Sequence, residues 1–372
     1  KKEQGKYPVI KLNFKSLKAD DWEHMYEIIK DRIAMEYENK IYLIDSLNER
    51  EKEFYERILK KEALIGEYEA SIEKLSQFME RYYNQKVLLL IDEYDVPIQT
   101  GYTRGFYKDV IGFIKNLFGN GLKTNDSVKF AVMTGILRVS KESIFSDLNN
   151  VSVYTAVDTM YDEYFGFNEE ETSDLLKHFG LELTQDVKNM YDGYIFGNKE
   201  IYNPWSILNY AERGDLQPYW INTSADELLR QLFEKSKEEA AELIDKLILG
   251  ENIEIQYNEK VTFLDIDAIQ AQNAKTLIGN FLLFTGYLTK ATKKGVKSNG
   301  NIELKIPNME VRKVYTDIIY TWTMFRANLA DTRFTDLENY IKNNDIANFE
   351  KLLNHVLQSM SFMDEYENFY HG

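Results

Sequence analysis

The chain has 372 residues, of which 44% are hydrophobic and 28% charged, enough for a large buried core and for two or three domains. Its 45 basic and 61 acidic residues leave a net charge of −16, the wrong sign for a broad nucleic-acid-binding face. No apolar run reaches membrane-spanning length. The absence of cysteine removes disulfide and thiolate chemistry, and the four scattered histidines match no metal spacing. A polar N-terminus with no signal-peptide core points to a cytoplasmic protein without membrane association.

The chain opens with Tyr7–Phe14, in which apolar and polar residues alternate as in a strand. Residues 21–38 and 47–83 are charge-rich, with apolar residues at helical spacing. Val87–Ile91 is an unbroken aliphatic run, which predicts a strand buried on both faces of a parallel sheet. Tyr107–Phe118 follows as a helix ended by Gly119-Asn120-Gly121, and Val128–Met133 as a third strand. This order of elements predicts an α/β sheet.

Beyond residue 160 the pattern changes. Glu169–Phe179 and Thr184–Met190 read as short helices. Gly193–Tyr202 reads as a hairpin turning at Gly197-Asn198, and Pro204 opens another helix. Residues 224–290 read as mostly helical, including Ala225–Leu249 and Asp265–Phe284. A short hairpin is expected over Tyr287–Ile306, and helices over Val311–Asn328 and Thr335–Met360. The expected domains are an α/β core over 1–160, a helical lid with a winged-helix-like element over 161–225, and a helical region with a hairpin over 226–364.

The chemistry concentrates at Val87-Leu-Leu-Leu-Ile-Asp92-Glu93, an aliphatic strand that ends in two adjacent carboxylates. In P-loop ATPases this is the Walker B arrangement. Asp92 would hold Mg²⁺ on the β- and γ-phosphates of ATP, and Glu93 would act as general base toward water. The bland alternative is a buried strand that ends in solvated acids. The next strand runs into Thr134-Gly135, with Arg138 close behind. Thr134 is placed to hydrogen-bond the attacking water or the γ-phosphate, and Arg138 to stabilise charge on the phosphoryl group. Asp95 reads either as support for the metal and nucleotide or as a cap on the following turn. Arg104 reads as a surface arginine or as one reaching a neighbouring subunit's nucleotide. Phe118-Gly-Asn-Gly-Leu-Lys-Thr124 imitates a phosphate loop, but it follows a helix and precedes a strand, the reverse of the required order. No Walker A motif is present in the 372 residues.

Together with these residues, Leu90–Ile98, Thr134–Asn149, Tyr191-Asp-Gly-Tyr194, Tyr202-Asn-Pro-Trp-Ser206 and Tyr219–Ser224 resemble the bacterial AAA-ATPase-like proteins, which often carry a C-terminal PD-(D/E)XK nuclease domain. The resemblance spans roughly residues 7–372. It implies a P-loop NTPase-like parallel sheet whose first strand and Walker A loop lie upstream of Lys1. It also implies ATP and Mg²⁺ as cofactors, and a nuclease-like domain starting near 365–372. The function it implies is a regulatory ATPase controlling that nuclease, with nucleic acid reached only through the nuclease domain. The alternative is a non-catalytic scaffold that binds a protein partner or itself.

Overall fold

The computed structural model describes residues 3–15, 17–123, 125–136, 151–220, 237–262, 265, 273–316, 336 and 339–360. Arg138 and the segment 365–372 lie outside them. The chain divides into two compact units, one of residues 1–153 with 258–268, the other of 154–257 with 269–372.

The first unit is built on a parallel sheet of β1 (Val9–Asn13), β2 (Val87–Asp92) and β3 (Val128–Met133), with β2 in the middle. β1 pairs with β2 from Val9↔Leu88 to Asn13↔Asp92, and β2 pairs with β3 up to Ile91↔Met133. Ile10, Leu12, Val87, Leu89 and Ile91 are buried on one face. Helix α1 (Trp22–Glu38) packs on β1, and α4 (Ser71–Tyr83) packs on β2. The other face carries Val9, Leu90, Phe130 and Val132, which are 36%, 37%, 63% and 42% exposed. The expectation that β2 is buried on both faces is therefore corrected. An aliphatic run does not by itself report which side a neighbour covers, and here the described helices cover one side.

The long periodic stretch 47–83 is three helices rather than one: α2 (Glu49–Lys60), α3 (Ile65–Glu69) and α4. A capping box of Asn48 and Glu51 starts α2, and Lys61 stops it in the left-handed conformation, φ +60°. Two further helices, α5 (Val96–Arg104) and α6 (Tyr107–Phe118), lie between β2 and β3. α5 escapes sequence reading because it is short and carries a glycine, Gly101, whose added Cβ would come within 3.0 Å of Val110. Gly119–Lys123 does not end α6 but continues it as a π-helical turn. An edge amide of β1 is met from α1: Glu36 accepts the Lys11 amide at 2.8 Å and pairs with Lys40 at 2.5 Å.

In the second unit, α7 (Glu169–His178), α8 (Gln185–Tyr191) and α9 (Pro204–Arg213) surround a core of Leu176, Val187, Tyr191, Tyr202, Ile207 and Tyr210. Each helix opens on a side-chain cap from Asn168, Thr184 or Asn203. The first hairpin forms as expected, from β4 (Tyr194–Phe196) and β5 (Lys199–Ile201). It enters through Gly193, φ +116°, where a Cβ would stand 2.0 Å from the Pro307 carbonyl oxygen, so that only glycine fits.

The region read as mostly helical holds α10 (Lys237–Ile248) and α11 (Ala274–Phe284), but between them lies an unexpected strand, β6 (Ile253–Gln256). β6 joins the second hairpin, β7 (Thr289–Lys290) and β8 (Asn301–Lys305), in an antiparallel sheet of order β6-β8-β7. Its Ile-Glu-Ile-Gln alternation is only four residues long, too short to stand out from helical sequence on either side. Residues 309–316 are helical. The expected helix over Thr335–Met360 is broken at Asn344, φ +54°, and restarts as α12 (Ile346–Met360).

One buried carboxylate ties this unit together. Glu310 is fully buried, and its oxygens accept the Ser206 hydroxyl at 3.0 and 2.8 Å and the Trp220 amide at 2.9 Å. Burial pushes its pKa above the ordinary carboxylate value, and the hydrogen bonds offset this only in part. The Tyr191 and Tyr194 hydroxyls are close enough to feel its charge. A carboxyl whose folded pKa is raised binds its proton more readily folded than unfolded. Stability therefore falls as pH rises from the ordinary carboxylate value through the raised one. Glu310→Gln is expected to flatten that part of the stability–pH curve. Glu310→Ala is expected to cost about 1–3 kcal/mol throughout, by leaving buried donors unpaired. Chemical denaturation at a series of pH values checks both.

Candidate functional site

In a parallel sheet every strand points its C-terminal end the same way, so residues in register at those ends form a row. Here the row is Asn13 at the end of β1, Asp92 at the end of β2 and Thr134 just past β3. All three continue the sheet face that carries Leu90 and Val132. The backbone holds the strand ends together beyond the last ladder pairs. The Phe14 amide donates to the Asp92 carbonyl at 2.9 Å, Thr134 N–H to Ile91 O at 2.9 Å, and Tyr94 N–H to Thr134 O at 3.1 Å.

The side chains in the row are linked. Thr134 Oγ1 donates to Asp92 Oδ1 at 2.5 Å, and Asn13 Nδ2 donates to Asp92 Oδ2 at 3.3 Å. The same Thr134 oxygen lies 3.4 Å from the Glu93 amide. Glu93 itself is in the left-handed region, φ +52°, a conformation that costs a non-glycine residue about 1–2 kcal/mol. It turns the chain sharply off the end of β2, so the two acids leave the strand in different directions. Burial and the neighbouring Asp92 charge raise the Glu93 pKa, while the Lys15 ammonium opposes them.

Of the residues singled out from sequence, Asp92, Glu93 and Thr134 are thus brought together. Asp95 is 2% exposed, and its Oδ2 accepts the Ile136 amide at 2.9 Å. It sits at the N-cap position of α5 without making the expected side-chain cap. Its carboxylate instead joins the turn after β2 to the one after β3. Arg104 ends α5, about half exposed, 3.9 Å from Asp20. In the second unit Tyr202 is buried, whereas Trp205 is 59% exposed, with its indole N–H on the Tyr219 carbonyl at 3.0 Å.

Sequence reasoning missed Asn13 and Lys15. Asn13 Oδ1 accepts the Lys15 amide at 2.7 Å, folding the end of β1 into a turn beside the acids. The available signal was a polar residue ending a strand next to the acidic one, but its relevance depends on β1 and β2 being neighbours, 79 residues apart.

The donor set suits a magnesium ion carried by a nucleotide. Such an ion takes one or two carboxylates and completes its shell with phosphate oxygens and water. Asp92 could serve as such a carboxylate, since each of its oxygens uses one lone pair on a neighbour and keeps others. Among the described residues no group of three or more His, Cys, Asp or Glu side chains forms a metal centre of the protein's own. No helix among the described residues is long and apolar enough to cross a membrane.

Gly135 controls how closely the β3 turn approaches. A Cβ there would stand 2.6 Å from the Tyr94 ring and 2.7 Å from Asp95 Oδ1. Gly135→Ala is expected to push Thr134 away from Asp92 and to lower stability by about 1–3 kcal/mol, the cost of overpacking a filled site. Thermal unfolding, with the Thr134 methyl resonance as a local reporter, measures both effects.

Residues 1–145 match the family described as predicted AAA-ATPase, the stretch that contains all three strands and the row. An uncharacterised protein encoded in the vnfD 5′ region of Azotobacter chroococcum mcd 1 is 26% identical over 236 residues, which cover 61% of this chain and 42% of that protein. The chain thus matches under half the length of this relative. No solved structure matches. Over residues 1–145, then, the chain is similar to the family described as predicted AAA-ATPase.

Proposed function

We propose that the first unit carries the magnesium- and water-handling half of an ATP-hydrolysing site. The observation that supports this most is the row Asn13–Asp92–Thr134 at the C-terminal ends of three parallel strands, with Glu93 beside it. That end of a parallel sheet is where such folds take up ligands. Asp92 would hold Mg²⁺, which when bound neutralises charge on the β- and γ-phosphates. Glu93 would take the proton of the attacking water, a role that its raised pKa favours. Arg138 keeps its proposed role toward the phosphoryl group.

The phosphate loop that completes this chemistry would come from a segment outside these 372 residues. The outer edge of β3 and the bare face carrying Phe130 and Val132 offer such a segment a place to add a strand. In the parent protein, the second unit would be the element that answers nucleotide. It includes the helices and hairpin read as a lid and winged-helix-like element, with an attached PD-(D/E)XK nuclease as the regulated activity.

The test uses the full-length parent protein. Glu93→Gln is expected to keep Mg-ATP binding and to lose about 10²- to 10⁴-fold in hydrolysis, the usual contribution of a general base. Unchanged turnover in this variant removes Glu93 from the role. Calorimetry that finds no Mg-ATP binding by the wild type replaces the whole reading with that of a protein-binding scaffold.

A further inference from the structure

Thr134 invites comparison with residues that touch a phosphate or the attacking water, yet its geometry points elsewhere. A threonine hydroxyl has one proton to donate. In this structure that proton is directed at Asp92 Oδ1, 2.5 Å away. The other Asp92 oxygen takes the Asn13 amide at 3.3 Å, and Asn13 is fixed in turn by the Lys15 amide on its own Oδ1 at 2.7 Å. The Asp92 carboxylate is therefore held from both flanking strands, one donor on each oxygen. Its backbone is pinned as well, through its carbonyl, by Phe14.

We propose that Asn13 and Thr134 are positioning residues that act through Asp92, presetting its carboxylate for a divalent cation. The inference rests on the ATPase reading above and adds what prepares the metal ligand. A free aspartate must give up side-chain rotation when it binds a cation, whereas a carboxylate held on both oxygens has already done so. Two donors also satisfy the carboxylate while no cation is bound, and they leave lone pairs on both oxygens. The Thr134 hydroxyl belongs to this clamp, so its part in the reaction is indirect.

The experiment is Mn²⁺ titration, followed by electron paramagnetic resonance, of full-length protein in the presence of ATP. ATP affinity in EDTA is measured alongside. Asn13→Ala and Thr134→Val are each expected to weaken Mn²⁺ binding roughly 10-fold or more, the usual effect of losing a group that orients a metal ligand. Both should leave metal-free ATP affinity unchanged. Thr134→Ser keeps the hydroxyl and is expected to restore wild-type Mn²⁺ affinity, which separates the clamp from a general loss of packing. If the Ala and Val variants bind Mn²⁺ as the wild type does, the clamp is wrong while the ATPase reading stands. If metal-free ATP affinity falls as far as Mn²⁺ affinity, or Ser fails to rescue, the two residues are merely structural and the inference is overturned. A wild type that takes up no Mn²⁺ with ATP present overturns the ATPase reading itself, and the clamp with it.

Discussion

The first unit depends on the parallel register of β1, β2 and β3. Parallel pairing brings the C-terminal ends of three strands to one side, although Asn13 and Asp92 are 79 residues apart in sequence and Asp92 and Thr134 a further 42. Shifting any strand by one residue would turn its polar end to the opposite face and separate the three side chains. The elements between the strands serve that register. Glu36, paired with Lys40, accepts the Lys11 amide of β1, α4 covers β2, and Asp95 bonds the turn after β2 to the one after β3.

The two acids that end β2 are chemically alike and structurally distinct. Asp92 stays in the sheet register and is hydrogen-bonded on both oxygens. Glu93 leaves through a left-handed turn and is raised in pKa by burial and by its neighbour. Adjacent carboxylates in equivalent surroundings would compete for the same cation and the same proton. The sharp turn separates their environments, which is what the proposed division of roles, cation binding by Asp92 and proton acceptance by Glu93, requires. The strained φ is tolerated because strand pairing fixes the residues before it and α5 begins three residues after it.

The second unit solves a different problem. Its helices are short, its sheets have two or three strands, and its core is rich in tyrosine. Such pieces need cross-links that are not ladders. Glu310 supplies one by accepting donors from Ser206 and Trp220, which belong to two of the sequence blocks that carry the family resemblance. Tyrosine hydroxyls supply others, among them Tyr191 to the Gln217 carbonyl and Tyr315 to the Tyr287 carbonyl.

Much of this was legible in the residues. The three strands of the first unit, helices α1, α6, α7, α8 and α9, both hairpins and the Asp92-Glu93 motif follow from periodicity, capping residues and turn chemistry. These signals are local, so they survive in the sequence. What was not legible depended on neighbours distant in the chain. The division of 47–83 into three helices turned on backbone breaks at Lys61, which is left-handed, and at Ala70. The joining of β6 to β8 turned on a partner nearly 50 residues away. The roles of Asn13 and Glu310 turned on which strand or helix lies beside them. By itself, then, the sequence determined most of the elements and the identity of the two acids, since backbone preference and hydrophobic period act within a few residues. Only the tertiary structure decided that Asn13 and Thr134 hold Asp92 between them, because strand pairing joins residues whose adjacency no local pattern encodes.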